Sequence, residues 1–324
     1  MIKIDEIRHL HLELSSLCNA RCPFCIRNLS GYPMNRGFTE TNLSLALIQK
    51  SLSPTFIAQL DEILINGNFG DFVMNTESEQ IISYFLAHNP TLKVQVTTNG
   101  SARTAEFWRN LGSMGISTFF CLDGLEDVHR LHRQDTVWQR IINNALTFKA
   151  AGGYAIWKMI LFDHNRDQVD ECKRLSQELG FNEFCLVDEG RDTGPVFDRS
   201  GNLSHNIGKH VGFNSVGEVI DFKNHHTITL PQPAKKLRCA TKESSSIFIS
   251  ADGKVYPCCY LAQHVLNWGE GQLNAITRRI IADNDLMKDD LETCIRWFSG
   301  VETRWAEKDP AARVSQCDSS CSVA

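Results

Sequence analysis

The chain opens with a strict alternation of apolar and polar residues. In residues 9–15 three leucines lie on one face of an extended segment, and His9, His11 and Glu13 lie on the other. This period of two predicts a β-strand. Further apolar segments of strand length follow, each separated from the next by a helical pattern. The predicted strands are His9–Ser15, Glu62–Asn66, Lys93–Thr98, Ser117–Asp123, Ala155–Phe162 and Phe184–Asp188.

The helices between these strands are marked by their end signals. Thr76 and Glu79 form a capping box, and Gly115 and Gly180 are typical helix stops. The predicted helices are residues 39–53, a helix from Thr76, residues 104–114 and 136–151, and a helix from Asn165 to Gly180. Such alternation predicts an α/β fold with a parallel sheet, either open or closed into a complete or partial barrel. Ligands of such sheets gather at the carboxyl ends of the strands.

The pattern changes after residue 189. Residues 190–238 show no clear period, which is typical of a functional loop, a lid or a linker. Residues 239–324 carry cysteines near both ends and contain a predicted β-hairpin around Asp252-Gly253. We therefore predict a large domain at 1–189, a lid or linker at 190–238, and a small α+β domain at 239–324.

Composition limits the function classes. The 324 residues are 42% hydrophobic and 22% charged, without a membrane-spanning stretch or a signal-peptide pattern, so we expect a cytoplasmic protein and no membrane partner. The net charge of -5 predicts no general attraction to nucleic acid. The 12 cysteines stand out, because clustered thiols in a reducing compartment favour metal binding or catalysis over disulfides.

Three cysteines directly follow the first predicted strand. Cys18, Cys22 and Cys25 have the spacing C-x3-C-x2-C, and no fourth cysteine or histidine lies within the next 60 residues. A structural zinc site needs four ligands. Three thiolates suit an iron–sulfur cluster with one open iron, although zinc or a functionless thiol cluster stays possible at this point.

The segment CNARCPFC, with an aromatic residue before its third cysteine, resembles the signature of radical S-adenosylmethionine (SAM) enzymes. The resemblance implies a partial (β/α)6 TIM-like barrel in which Cys18, Cys22 and Cys25 hold a 4Fe-4S cluster that binds SAM at its open iron. Reductive cleavage would give a 5′-deoxyadenosyl radical that takes a hydrogen atom from the substrate. It also implies an electron donor such as flavodoxin or ferredoxin.

Other strand ends resemble the same family. Residues 66–75 are similar to its Gly-Glu-Pro turn, with Asp71 in the Glu position and Phe72 in the Pro position. Thr97-Thr98-Asn99-Gly100 and Leu122-Asp123-Gly124 end the third and fourth strands in the family's manner. The alternative is that these are turn residues selected for their backbone dihedrals. The resemblance implies that SAM is bound by Gly70, Asp71, Thr98, Asn99 and Asp123.

Candidate substrate-binding residues follow the later strands. Lys158 is expected to face the opposite side of its strand from Trp157 and Met159, either to bind a carboxylate or to snorkel at the sheet surface. Asp188, Glu189 and Arg191 follow the sixth strand at the same mouth.

A second cysteine set lies near the end of the chain. Its pattern, C-x13-G-x4-C followed by C-x3-C, resembles the auxiliary-cluster module of radical SAM enzymes called SPASM, and in particular its shorter form, twitch. This resemblance implies one auxiliary 4Fe-4S cluster, with Cys259 as an alternative to Cys258. The implied ligands are Cys239, Cys258, Cys317 and Cys321.

We therefore expect a radical SAM enzyme that abstracts a hydrogen atom from a small molecule, with the auxiliary cluster assisting oxidation. Maturation of a peptide or protein is the alternative. It is disfavoured because the first strand begins at about residue 9, which leaves no room for a leader-binding domain before it. A remote alternative is a colourless, non-enzymatic zinc-binding protein. The substrate, the fate of SAM and the oligomeric state do not follow from the sequence.

Overall fold

A computed structural model describes residues 2–29, 32–33, 39–187, 194–207, 236–263, 284–303, 317 and 322–323. Its strands are β1 (His9–Leu12), β2 (Asn28–Leu29), β3 (Tyr32–Pro33), β4 (Glu62–Ile65), β5 (Lys93–Thr98), β6 (Ser117–Cys121), β7 (Tyr154–Ile160), β8 (Glu183–Val187), β9 (Gly194–Phe197), β10 (Leu203–Ile207), β11 (Lys236–Leu237), β12 (Ser246–Ile249), β13 (Val255–Tyr256) and β14 (Ser322–Val323). Its α-helices are α1 (Leu45–Ser51), α2 (Pro54–Ala58), α3 (Ser78–His88), α4 (Ala105–Ser113), α5 (Glu126–His132), α6 (Trp138–Ala150), α7 (Val169–Glu178), α8 (Ala240–Glu243), α9 (Leu291–Ile295) and α10 (Phe298–Thr303).

One sheet organises this part of the chain. Its strand order is β13-β12-β1-β4-β5-β6-β7-β8, and the run from β1 to β8 is parallel throughout. The six predicted strands are therefore confirmed, as is the α/β fold with a partial (β/α)6 barrel. Parallel neighbours connected through helices place all six carboxyl ends at one edge.

The C-terminal part of the chain adds to the same sheet. Strand β12 pairs in parallel with β1, with Ser246 opposite His9, and β13 pairs antiparallel with β12. This is the hairpin predicted around Asp252-Gly253, where Gly253 has a positive φ of 78°. The division of the chain into domains remains a prediction.

The two faces of the sheet differ as the alternation predicts. Leu10 and Leu12 of β1 and Trp157 and Met159 of β7 are fully buried in the core against the helices. Lys158 lies on the opposite, inner face, as expected from its position between Trp157 and Met159. The apolar face thus fixes the register of the strands and directs their polar side chains to the barrel interior.

Several helix boundaries differ from the prediction. The helix expected over 39–53 is shorter, since α1 begins only after its cap at Ser44. Ser53 caps a separate helix, α2, which Pro54 opens beyond the predicted range. The capping box of Thr76 and Glu79 is wrong, since α3 begins at Ser78 without a side-chain cap. Helix α5 was not predicted. In the described ranges, every helix is too short or too polar to cross a bilayer.

Strands β9 and β10 form a hairpin inside the segment predicted to be a loop, a lid or a linker. Val196 and Ile207 are fully buried in a small cluster with Ile160 and Phe162, and Phe24 of the cysteine loop packs against it. The hairpin therefore lies over the carboxyl end of β7. Residues 190–193 and 208–235 of this segment lie outside the described residues.

The backbone after β4 makes a close approach to the segment that leads into the cysteines. A Cβ atom added to Gly70 would lie 1.9 Å from the carbonyl oxygen of Ser15 and 2.6 Å from that of Leu17. The neighbouring Asp71 N–H donates to the Leu17 carbonyl at 2.8 Å. Only glycine fits this position, and the contact joins the two loops that carry Cys18 and Asp71.

We predict that Gly70→Ala lowers the free energy of unfolding of the apoprotein by about 3 kcal/mol, since the methyl group would overlap backbone atoms. Gly115→Ala is the control, because its Cβ would meet nothing within 4 Å and only the positive φ of 69° opposes it. We expect a loss of about 1 to 2 kcal/mol there. Urea denaturation measures both. Equal losses would show that the approach of the two loops is not as close as described.

Candidate active site

The three-cysteine loop begins six residues after β1 and is held by its own backbone. The Cys25 N–H donates to the Cys22 carbonyl at 3.1 Å, and the Ala20 N–H lies 3.4 Å from the Cys18 sulfur. The Arg21 N–H donates to the carbonyl of Gln134 at 2.9 Å. The first two bonds hold the loop together, and the third fastens it to the segment that follows α5.

The thiols of this loop lie close together in a buried setting. Burial raises the pKa of Cys18 above its usual range and the pKa of Cys22 to about 12. Charge on Cys25 raises the pKa of both of these thiols further. The thiols of Cys18 and Cys22 are therefore protonated when no metal is bound, and iron would have to displace their protons, because the thiolate is the ligand.

This donor set fits an iron–sulfur cluster. Three cysteines from one loop meet at the carboxyl edge of the barrel, with nitrogen donors beside two of the sulfurs, as described below. Among the described residues, no three His, Cys, Asp or Glu side chains converge on a single metal ion. A 4Fe-4S cluster binds each cysteine at a different iron, so its ligands do not need to converge on one point.

Asp71 is buried, and protein donors occupy its carboxylate. One oxygen accepts from the Thr98 hydroxyl at 2.8 Å and the Val73 N–H at 3.3 Å. The other accepts from the backbone N–H and the side-chain amide of Asn99, each at 2.7 Å. Burial raises the pKa of Asp71, and these hydrogen bonds oppose the rise. The predicted residues Asp71, Thr98 and Asn99 therefore form one network.

The side-chain amide of Asn99 connects this network to the cysteine loop. Its nitrogen lies 2.9 Å from the Asn19 side-chain oxygen and 3.8 Å from the Cys18 sulfur. The structure therefore brings Gly70, Asp71, Thr98 and Asn99 together beside Cys18, at the edge where the strand ends meet.

Asp123 ends β6 and is fully buried. One carboxylate oxygen accepts from the Ile160 N–H at 2.8 Å, and the other from His132 Nδ1 at 2.8 Å and Arg133 Nε at 2.5 Å. Burial alone would raise the pKa of Asp123, but the Arg133 guanidinium and His132 hold it well below its usual range. Arg133 Nη1 also lies 3.9 Å from the Cys22 sulfur.

Glu13 is a buried carboxyl group at the end of β1. Its Oε1 accepts from the backbone N–H of Phe69 at 2.6 Å and of Gly70 at 3.2 Å. Burial is the main cause that raises the pKa of Glu13 to about 7, against the effect of these hydrogen bonds. Next along the same strand face, His11 donates from Nε2 to the Asn66 carbonyl at 2.7 Å. Both side chains hold the loop 66–70.

Lys158 lies on the inner face of β7, between Cys121 of β6 and Cys185 of β8 in the strand register. Its ammonium group lies 5.8 Å from the centroid of the Phe119 ring. This position places a cation on the barrel wall. The other predicted substrate-binding residues, Asp188, Glu189 and Arg191, lie outside the described residues.

The second cysteine set assembles around Cys258. Cys258 and Cys317 pack in one cluster, and the charges of Cys317 and Cys239 both raise the pKa of Cys258, which burial alone already raises. Cys259 instead packs beside Phe248 and Tyr256. Cys258 is therefore the better placed of the two neighbours to share a ligand set with Cys239 and Cys317. The fourth predicted ligand, Cys321, lies outside the described residues.

Three side-chain contacts connect distant segments to the edge of the candidate active site. Asp135 accepts from Arg21 Nε at 3.3 Å and from Arg199 Nη2 of the β9–β10 hairpin at 2.8 Å. The Asn68 side-chain amide donates to the Cys259 carbonyl at 2.9 Å, which joins the loop after β4 to the second cysteine set.

Glu13, His132 and Arg133 are site residues that the sequence patterns do not predict. The alternation in β1 places Glu13 on the inner face, so a buried carboxyl in need of donors could have been inferred. His132 and Arg133 fall in or just after α5, a short helix that directly follows Asp123-Gly124. Two basic residues that follow a strand-end aspartate so closely in the sequence could have indicated that they pair with it.

Comparisons with known proteins agree with this arrangement. Residues 239–321 match the family model of SPASM, an iron–sulfur cluster-binding domain. No curated protein sequence matches the chain.

Solved structures of low sequence identity share the fold. Streptococcus suis SuiB bound to S-adenosylmethionine is 14% identical, with a TM-score of 0.53 and coverage of 96% of this chain and 77% of that chain. The same protein bound to its precursor peptide SuiA is 16% identical, with a TM-score of 0.53 and coverage of 94% and 66%. Native anSMEcpe with bound AdoMet and Kp18Cys peptide is 13% identical, with a TM-score of 0.55 and coverage of 97% and 88%.

The chain therefore shares the fold of these solved structures, and its residues 239–321 match an iron–sulfur cluster-binding domain of the SPASM type. The family model spans the whole second cysteine set, and it does not separate the short twitch form from the longer form.

We predict that Glu13 makes stability depend on pH. Its folded-state pKa of about 7 exceeds the ordinary value of 4.5, so the protonated form favours folding, and that contribution is lost as the pH rises from 4.5 through 7. The loss approaches about 3 kcal/mol. Urea unfolding of the apoprotein between pH 5 and pH 8 should show this decline in the wild type and a flatter profile in Glu13→Gln.

Glu106→Gln is the control for this experiment, because Glu106 is exposed on α4. Its profile should follow the wild type. If Glu13→Gln also follows the wild type, then Glu13 does not carry the pH dependence.

Proposed function

We propose that this chain is a radical SAM enzyme in which Cys18, Cys22 and Cys25 hold a 4Fe-4S cluster. The observation that carries the proposal is the position of these three thiols at the carboxyl edge of a six-stranded parallel barrel, with nitrogen donors beside Cys18 and Cys22. The bound cluster with SAM would supply the 5′-deoxyadenosyl radical that abstracts a hydrogen atom from the substrate.

The loop after β4 and the end of β5 form the surface that would receive SAM. Glu13 and the close approach at Gly70 fix the loop backbone, and Asp71 fixes the side chains of Thr98 and Asn99. Asp123 holds Arg133 at the other side of the cysteine loop. A cofactor with amino, carboxylate and hydroxyl groups would therefore meet side chains that are already held in place, which lowers the entropy cost of binding.

The substrate would lie in the barrel, against its inner face. Lys158 is a cation on that wall, which supports a substrate with a negatively charged group such as a carboxylate. A small molecule is the first choice, because one lysine can recognise such a group alone. Peptide maturation is the second candidate, and the structures of SuiB with its precursor peptide and of anSMEcpe with a peptide favour it.

The auxiliary cluster would be held by Cys239, Cys258, Cys317 and Cys321. Because β12 extends the barrel sheet beside β1, and Asn68 binds the Cys259 carbonyl, this cluster would lie next to the loop that receives SAM. From there it could accept the second electron when the substrate radical is oxidised. Flavodoxin or ferredoxin would supply the electron that initiates each turnover.

We predict that the anaerobically reconstituted, dithionite-reduced protein converts SAM to 5′-deoxyadenosine, and that Cys22→Ala lowers this rate to the background. Loss of one thiolate removes a ligand of the cluster that binds SAM. Cys172→Ala is the control, since Cys172 is buried among core residues on α7 and belongs to neither cysteine set, and should retain the activity. Chromatography of the nucleoside product measures the rate. Absence of product from the wild type would refute the proposed function.

We also predict that Cys258→Ala reduces the iron content by about half, because it removes a ligand of one of two 4Fe-4S clusters, whereas Cys259→Ala retains all of the iron. Both variants should continue to cleave SAM, since neither changes the loop 18–25. Iron analysis after reconstitution gives the answer. The reverse result would assign the ligand role to Cys259.

A further inference from the structure

Two of the three cysteines in the first loop have a nitrogen donor beside their sulfur. The donors differ in chemistry, because one is the neutral amide of Asn99 and the other is the guanidinium of Arg133. In each case a buried carboxylate holds the donor in position. The arrangement is therefore similar on both sides of the loop.

On the Cys18 side the carboxylate is Asp71. It binds both nitrogens of Asn99 with one oxygen, and its other oxygen binds Thr98 and Val73. A carboxylate accepts about four hydrogen bonds, so these four donors use its whole capacity. The two N–H groups of the Asn99 amide face Asp71 at 2.7 Å and the Asn19 side-chain oxygen at 2.9 Å. Asp71 thus acts on Cys18 through the Asn99 amide dipole, whose nitrogen lies 3.8 Å from the sulfur.

On the Cys22 side the carboxylate is Asp123. It binds Arg133 through Nε, which leaves Nη1 directed at the Cys22 sulfur at 3.9 Å. His132 and the Ile160 N–H complete the contacts of Asp123. Asp123 is fully buried, and the Arg133 side chain is only 13% exposed, so water screens this ion pair weakly.

We propose that Asp71 and Asp123 are positioning residues that hold Asn99 and Arg133 against the sulfurs of Cys18 and Cys22, and that these donors raise the reduction potential of the cluster. The proposal rests on the proposed function. The physical reason is that an added electron increases the negative charge on the cysteine sulfurs. The positive end of the Asn99 amide dipole and the Arg133 cation stabilise that charge, and net charge and polar contacts at the sulfurs tune iron–sulfur potentials. Arg133 contributes more than Asn99, because it carries a full charge.

The test is a redox titration of the reconstituted holoenzyme, followed by electron paramagnetic resonance. The signal that changes when SAM is added identifies the cluster of the first loop. For Arg133→Met we expect the ratio of reduced to oxidised cluster at a fixed potential to fall about tenfold, which corresponds to about 59 mV for one electron. Asn99→Ala should shift the potential in the same direction by a smaller amount.

The positioning role is tested by variants that keep the donors. Asp71→Glu and Asp123→Glu keep the carboxylate charge but move its oxygens, so they should displace Asn99 and Arg133 and lower the potential although both donors are still present. Arg133→Lys retains the charge and should recover part of the loss seen in Arg133→Met. A purely structural role of these residues would change stability without this ordered change in potential.

Two control variants change a similar group that does not face a sulfur. Asn28 donates its side-chain amide to the Cys22 carbonyl at 3.0 Å, and Arg21 pairs with Asp135. Asn28→Ala and Arg21→Gln should shift the potential less than Asn99→Ala and Arg133→Met, respectively. If Asp123→Glu does not fold, Asp71→Glu still tests the positioning role, and Asn99→Ala and Arg133→Lys still test the donors.

The outcomes separate the two proposals. A wild-type protein with no SAM-responsive cluster overturns the proposed function, and this inference with it. A SAM-responsive wild type whose Asn99 and Arg133 variants keep the potential of their controls overturns the inference alone. An ordered decrease, larger for Arg133→Met than for Asn99→Ala, supports it.

Discussion

Strand β1 is hydrogen-bonded on both edges, to β4 on one side and to β12 on the other. The position of the first cysteine loop depends on this double pairing, because the loop begins six residues after the strand ends. The polar face of the same strand carries His11 and Glu13, which hold the loop 66–70. Strand β1 therefore sets the distance between the two cysteine sets, and its polar face positions the loop 66–70 that lies between them.

The active-site edge is built from buried polar groups that are nearly all paired. Three carboxyl groups, those of Glu13, Asp71 and Asp123, accept hydrogen bonds from backbone and side-chain donors on neighbouring strand ends. Each would be costly to bury without these partners. Because these groups must keep their partners, the loops have few alternative arrangements. A cofactor that binds here meets a surface that is largely formed in advance.

Periodicity was sufficient to predict the six barrel strands, because alternation and the helix stops are local signals. Periodicity also placed Cys18 and Lys158 correctly relative to the strands. It could not show that Asp71 is saturated, since its partner Asn99 lies on another strand end, or that β12 joins β1, since no local pattern encodes a partner 237 positions away. Helix α5 was missed because its seven residues are too few to display a period.

The pairing of β1 with β12 also bears on how the molecule is made. During synthesis the first strand emerges long before residue 246, so one of its edges stays open while most of the chain is still being translated. Open edges recruit other strands, and contacts between distant residues form slowly. Newly made chains would therefore spend a period in which aggregation competes with closure of the sheet, and slower growth at lower temperature should favour the native product.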